Sequence, residues 1–282
     1  MDSDDFKRVA IIGGAGRMGS LFARLLKPYY KVGIYDLDEN KCKLIAKELN
    51  IDYFSSLKEA IEASEVIEVA TPLSKTRDII KRIGKYNCKD KLVFDIASFK
   101  SDIISAYKNF EKNSKIVSIH PMFGPGIKFT KNKPVLVIPL EGHENDVKFV
   151  KEFLKELEFD FIEIDHKTHD EIMSLFISMP YLISISYLKV IKNYKQYFKY
   201  GGASFKLMLT LSNLILNDSE EQIATICSNK LAKKFSLKFR KEMMKLTNLG
   251  KDKIMKEVRK IKNDFYNEDV YRKAYDFFEM LH

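Results

Sequence analysis

Residues 9–19 read Val-Ala-Ile-Ile-Gly-Gly-Ala-Gly-Arg-Met-Gly, an apolar β-branched run that breaks into glycines and resumes as an amphipathic helix. Gly14-x-Gly16-x-x-Gly19 is the spacing of a dinucleotide turn. Its glycines serve the tight turn, the close approach of a pyrophosphate and helix–strand packing. The phosphate then rests on the positive helix N-terminus, so Arg17 and Met18 join the three glycines as expected cofactor contacts. Spacing alone is a weak signal, and the context decides. A second run, Val32-Gly-Ile-Tyr-Asp36, ends in an acid about twenty residues on, where a carboxylate binds the adenine ribose hydroxyls and repels the extra phosphate of NADP. NAD is the expected cofactor and NADP the disfavoured one.

Around this motif the first 165 residues alternate short apolar runs with amphipathic segments. Val9–Ile12, Val32–Tyr35, Val66–Ala70, Leu92–Asp95, Ile116–Ile119, Val135–Ile138 and Phe159–Ile164 read as strands. Met18–Leu26, Glu39–Leu49, Ser74–Ile83 and Asp146–Leu157 read as helices. The alternation predicts an α/β fold, a Rossmann-type doubly wound and mostly parallel sheet with helices on both faces. After Asp165 the pattern turns helical, with helices predicted near 168–197, 203–216, 219–248 and 252–280. Asp218-Ser219 and Asp252 read as N-caps, Gly250 as a C′ residue, and Pro180 as a kink. The expected division is a nucleotide-binding domain at 1–165 and an all-α domain at 166–282. Apolar faces through Leu207, Leu211, Leu214 and Ile215 require partner helices or a second subunit, which predicts a homodimer.

Apolar residues make up 45% of the 282 and charged residues 31%, a soluble globular profile. No uninterrupted apolar stretch approaches the ~18 residues a membrane span needs. The acidic start Met-Asp-Ser-Asp-Asp lacks the pattern of a leader peptide, and no further domain is expected after the helices. Cys42, Cys88 and Cys227 are scattered without Cys-x-x-Cys spacing, which fits a reduced cytoplasmic protein with no zinc site. The net charge of +9 lies almost wholly after residue 165, at helical spacing. It reads as a solvated helical surface or a field for a small anionic substrate, not as a nucleic-acid or membrane interface.

Chemistry is expected at strand ends. Thr71 and Ser98 follow apolar strands at the carboxyl edge of the sheet, where ligands of open α/β folds bind. Ile116-Val-Ser-Ile-His-Pro-Met-Phe-Gly-Pro-Gly126 delivers His120 to a proline- and glycine-rich turn. A titratable group held there suits acid–base work on a ligand. Ser98, Lys100 and His120 arrive at adjacent strand ends as a polar cluster. His166 and His169 lack a third metal ligand nearby, so a histidine held by a neighbouring carboxylate is the better reading.

Three segments in order, Gly13-Gly-Ala-Gly-Arg-Met-Gly-Ser-Leu-Phe22, Asp95-Ile-Ala-Ser-Phe-Lys100 and His120-Pro-Met-Phe-Gly-Pro125, resemble the prephenate dehydrogenase family over roughly residues 8–175. The His-Pro-Met-Phe-Gly-Pro run is the specific element. The resemblance implies NAD-dependent oxidative decarboxylation of prephenate to 4-hydroxyphenylpyruvate, in tyrosine biosynthesis. In that reading His120 accepts the substrate hydroxyl proton, and Ser98 positions the same hydroxyl and the nicotinamide. It also implies a helical dimerisation domain. Family members hold the ring carboxylate with an arginine where this chain has Asn213, and some carry a histidine where it has Tyr181. Lys206, one or two helical turns before Asn213, is the substitute cation. Substrate contacts are therefore expected from His120, Lys206, Asn213 and Tyr181. Arogenate or another small carboxylate as substrate, and a non-catalytic NAD-binding regulatory dimer, stay open beside prephenate.

Overall fold

The computed structural model describes residues 8–280; the acidic stretch 1–7, read above for a leader pattern, lies outside the described residues. The chain divides into two compact units, Met1–Glu171 and Ile172–His282. The division falls inside a helical run that begins at His166, so His166, His169 and Asp170 belong to the first unit.

The first unit is one eight-stranded sheet. Its strands are β1 (Arg8–Ile12), β2 (Lys31–Tyr35), β3 (Asp52–Tyr53), β4 (Val66–Val69), β5 (Leu92–Asp95), β6 (Lys115–Pro121), β7 (Pro134–Ile138) and β8 (Asp160–Glu163), in the order β3-β2-β1-β4-β5-β6-β7-β8. All pairings are parallel except β6 with β7. The first six strands thus have the doubly wound order 3-2-1-4-5-6, whose strand-order reversal between β1 and β4 opens a crevice at the carboxyl edge. Connections run through α1 (Arg17–Leu26), α2 (Glu39–Leu49), α3 (Leu57–Glu62), α4 (Leu73–Ile83) and α5 (Val147–Phe153).

Period-2 alternation divides the strand side chains between two cores. Val9 and Ile11 of β1 join Val66, Phe94, Val117 and the apolar faces of α1, α2 and α5. Ala10 and Ile12 join Ile67, Val93 and the faces of α3 and α4. One residue breaks the pattern. Glu68, paired in register with Ile11 and Phe94, is wholly buried in the middle of β4, and neither carboxyl oxygen has a hydrogen-bond partner. Burial alone drives its pKa well above the usual carboxylate value.

The second unit is helical. The run that starts in the first unit as α6 (His166–Met173) passes through a π-helical turn at Ser174–Ser178 into α7 (Met179–Ile191) and a 3-10 segment at Lys192–Tyr200. Pro180 sits at the start of α7 directly after the π-turn. A proline has no N–H to donate four residues back, and the wider turn accommodates that loss where a kink was predicted. α7 packs on α8 (Ala203–Leu216), α9 (Glu220–Cys227) and α10 (Lys230–Thr247), followed by α11 (Lys251–Phe265) and α12 (Glu268–Glu279).

The predicted helices 219–248 and 252–280 are each two helices. Asn229 caps α10 by accepting from Leu231, and Asn267 caps α12 by accepting from Asp269 and Val270. Ser219, not Asp218, caps α9. Gly250 is the N-cap of α11, where a C′ role and an Asp252 cap were predicted. Within the 35-residue run His166–Tyr200, an 18-residue window has a mean hydropathy of 1.5, long and apolar enough to cross a membrane by length and composition, a test that core helices of soluble proteins also pass. Its serines and tyrosines interrupt the apolar stretch in the sequence. On α8, Ile215 is buried, while Leu211 and Leu214 stay exposed.

Candidate active site

The glycine turn is built by β1 and β2 together. The N–H groups of Gly13 and Gly14 both donate to the Tyr35 carbonyl, at 2.8 and 3.1 Å, which folds the chain back over the end of β2. Gly13, one residue before the predicted motif, takes the left-handed conformation at φ +87°. Gly19 answers a different need: a Cβ there would lie 2.4 Å from the Gly13 carbonyl oxygen, so only glycine lets α1 sit this close to the turn. Gly16 is the N-cap of α1. It brings no side-chain cap, and the first turn holds no acid, so the positive helix end is left for an anion. Arg17 opens the helix, exposed, and Met18 packs against the core.

Asp36 follows β2 directly. Its carboxylate accepts from the Ala15 N–H at 3.1 Å and the Asp38 N–H at 3.2 Å, which fixes it beside the glycine turn. Ala70 and Thr71 lie on the other side, close enough that a Cβ on Gly13 would meet the Ala70 carbonyl oxygen at 2.8 Å. The Thr71 hydroxyl is 3.1 Å from that of Thr76 on α4. Glycines, Asp36 and Thr71 thus meet at the ends of β1, β2 and β4.

Ser98 and His120 stand at the ends of the next two strands. Ser98 is half-buried after β5 and makes no side-chain hydrogen bond among the described residues. β6 pairs Ser118 with Asp95, which carries His120 two residues past the end of β5. Pro121 belongs to β6, pairing with Val135 of β7, so strand pairing rather than the predicted turn holds the histidine. His120 is 5% exposed. Burial, then the nearby positive charge of Lys100, drive its pKa well below the usual histidine value, which leaves a neutral imidazole.

Lys100 does not line the site as its place in the predicted polar cluster suggested. Its ammonium turns inward, donating to Asp95 Oδ1 at 2.8 Å and to the Ile119 carbonyl at 2.7 Å. Asp95 also accepts from the Ala97 N–H at 2.9 Å, the Tyr107 hydroxyl at 2.9 Å and the Ser118 hydroxyl at 2.5 Å. This fully buried hub ties the ends of β5 and β6 together beneath Ser98 and His120. Tyr107 and Ser118 lie at distances in sequence that no motif spans, so sequence reasoning missed them.

His169 and Asp170 were also missed as site residues. His120 Nδ1 lies 3.1 Å from His169 Nε2, and His169 Nδ1 lies 2.8 Å from Asp170 Oδ1. The carboxylate neighbour foreseen for these histidines is Asp170, and the adjacency His169-Asp170 was the available signal. No cluster of three metal-ligating side chains exists among the described residues.

In the helical unit, the Tyr181 hydroxyl donates to Asp218. The Lys206 ammonium lies 5.5 Å over the Phe278 ring, and the exposed Asn213 amide donates to the Leu209 carbonyl one turn back at 2.8 Å.

Residues 22–163 match a family model described as "Prephenate dehydrogenase, nucleotide-binding domain". A Methanocaldococcus jannaschii protein described as "Probable arogenate/prephenate dehydrogenase" is 27% identical over 95% of this chain and 63% of its own length. The chain spans between about half and two-thirds of the length of the first curated relatives it matches. Among solved structures it is similar to prephenate dehydrogenase of A. aeolicus in complex with hydroxyphenyl propionate and NAD+, with a TM-score of 0.78 and 18% identity over 92% of this chain and 96% of that one. Synechocystis arogenate dehydrogenase gives a TM-score of 0.72 at 14% identity, over 94% and 99%. At these identities the two structures show a shared fold.

Proposed function

The chain belongs to the prephenate dehydrogenase family, and on that basis we propose that it oxidatively decarboxylates prephenate to 4-hydroxyphenylpyruvate with NAD. The observation that carries this reading is His120, buried and neutral at the carboxyl edge of the sheet, one strand from the half-buried Ser98. A neutral imidazole there can accept the proton of the substrate's C4 hydroxyl. The C4 hydride leaves at the same carbon, the ring carboxylate departs as CO2, the resulting phenolate takes a proton back from His120, and aromatisation drives the reaction. The protein's task is chiefly to orient the ring and take the proton.

The turn fits a dinucleotide on its own geometry: a helix packed close against the turn at Gly19, a bare helix N-terminus, and a carboxylate at Asp36. Gly14, Gly16, Gly19 and the first turn of α1 at Arg17 and Met18 would hold the pyrophosphate, and Asp36 the adenine ribose. Thr71 and Ser98 would hold the nicotinamide half. When bound, NAD supplies the hydride-accepting ring.

Lys206, Asn213 and Tyr181 are the proposed partners of the substrate carboxylates. Arogenate keeps the ring carboxylate and the C4 hydroxyl, so the same residues serve either substrate. The exposed leucines of α8 support a homodimer through the helical unit. The unpaired thiols of Cys42, Cys88 and Cys227 suit a reducing, cytoplasmic setting. One feature favours a second reading, an NAD-binding regulatory dimer without turnover: Asn213 stands where the resemblance implies an arginine, and an amide cannot form a bidentate, always-charged clamp.

The test is NADH formation by the full chain with prephenate and with arogenate, alongside NAD binding. Turnover of either substrate supports a dehydrogenase and identifies the preferred one. NAD binding without turnover of either supports the regulatory reading.

A further inference from the structure

We infer that Asp170, acting through His169, is a positioning residue that holds His120 in the tautomer with its proton on Nδ1 and its lone pair on Nε2. The inference deepens the reading of His120 as proton acceptor and rests on it for its functional meaning.

Asp170 accepts from the Lys100 N–H at 2.9 Å, the Ser101 N–H at 2.7 Å and the Ser101 hydroxyl at 2.5 Å. Although burial would raise its pKa, hydrogen bonds from His169, Ser101 and the backbone hold it below the usual aspartate value. An ionised carboxylate only accepts, so His169 Nδ1, at 2.8 Å, carries a proton. Burial, the largest influence, keeps His169 below the usual histidine value and neutral, so its Nε2 is a bare acceptor. That lone pair faces His120 Nδ1 at 3.1 Å. Two bare nitrogens at this distance would repel, so His120 Nδ1 is the donor. A neutral imidazole with Nδ1–H has its lone pair on Nε2. All three side chains are sealed, His169 at 0%, Asp170 at 2% and His120 at 5% exposure, so water does not compete for these bonds.

The residues fall where the fold can align them. His120 is the penultimate residue of β6, and His169 and Asp170 lie in the first turns of the helical run that begins at His166. The Lys100 and Ser101 backbone, just past the Asp95 hub, grips Asp170. Each link leaves one tautomer, and the sequence of links runs one way.

Nitrogen-15 NMR of the histidine rings in the substrate-free full chain tests this without turnover. In the wild type, His120 Nε2 is expected to be pyridine-type and Nδ1 pyrrole-type. Asp170→Ala removes the acceptor that fixes the proton on His169 Nδ1, so both rings should populate mixed tautomers and kcat should fall by ~10²-fold or more, with KM for NAD unchanged. His169→Leu removes the acceptor and should mix the His120 tautomers. His169→Gln retains a carbonyl acceptor with the reach of Nε2 and should restore both the pyrrole-type Nδ1 and part of kcat. NAD affinity and circular dichroism establish that each variant folds, and the His169 pair carries the test if Asp170→Ala does not. A pyrrole-type Nε2 in the wild type, or an unchanged His120 tautomer in folded Asp170→Ala or His169→Leu, overturns the inference. The expected tautomer in a protein that turns over neither prephenate nor arogenate leaves the positioning role standing and removes the proposed function instead.

Discussion

The Lys100 ammonium and the Asp95 carboxylate lie 2.8 Å apart with neither side chain exposed to solvent. A buried pair of this kind is worth little against an apolar replacement of both, but removing one partner strands the other charge. Lys100→Met should cost about 3–5 kcal/mol of stability, read as a lower urea midpoint. Adding Asp95→Asn to it should recover part of that loss, because no buried charge is then left alone and the amide oxygen can still accept from Tyr107 and Ser118.

His120 predicts an unusual pH profile. A proton acceptor must be unprotonated, and burial and Lys100 push the His120 pKa well below the ordinary 6.5. The acid limb of kcat/KM should therefore lie well below pH 6.5, with activity flat through neutrality on that side. Steady-state rates across acid pH check this. A limb centred near 6.5 would mean that His120 is solvated in the working enzyme.

Glu68 predicts stability that falls as pH rises. Its folded pKa is raised above the unfolded value near 4.5, so the native state keeps a proton that the unfolded chain releases. Below that value both states are protonated and no penalty exists. Above it, stability should drop by about 1.4 kcal/mol per pH unit until Glu68 itself ionises. Glu68→Gln should flatten this slope, its gain over wild type growing from pH 5 to pH 8 in urea melts.

Asp36 predicts cofactor choice. Its carboxylate is fixed beside the glycine turn by the Ala15 N–H, and a second phosphate on the ribose would face it. Asp36→Ala should weaken NAD binding and shift the NAD-to-NADP preference by roughly 1–3 kcal/mol toward NADP, since a like charge is removed in a partly solvated setting. Titrations with both cofactors give the ratio.

The sheet was legible because β1, β2 and β4 to β7 are short apolar runs buried on both faces, which mark a parallel sheet in sequence. β3, two residues long, offered no such run. The helix breaks at Asn229 and Asn267 were hidden because apolar periodicity continues across them, and only the cap geometry separates the helices. At the site, Gly14, Gly19, Asp36 and His120 announced themselves by local spacing. Asp95, Tyr107 and Ser118 did not, because their meeting is made by the register of β5 and β6. The inward turn of Lys100 was equally invisible, for nothing in a lysine's neighbours tells which way a long side chain will reach.

The central claim is that His120 accepts the substrate proton, and NADH formation by wild type and His120→Asn tests it most directly. With prephenate or arogenate as substrate, the wild type should turn over and His120→Asn should lose about 10²–10⁴-fold in kcat while binding NAD as before. Near-full turnover by His120→Asn would contradict the account.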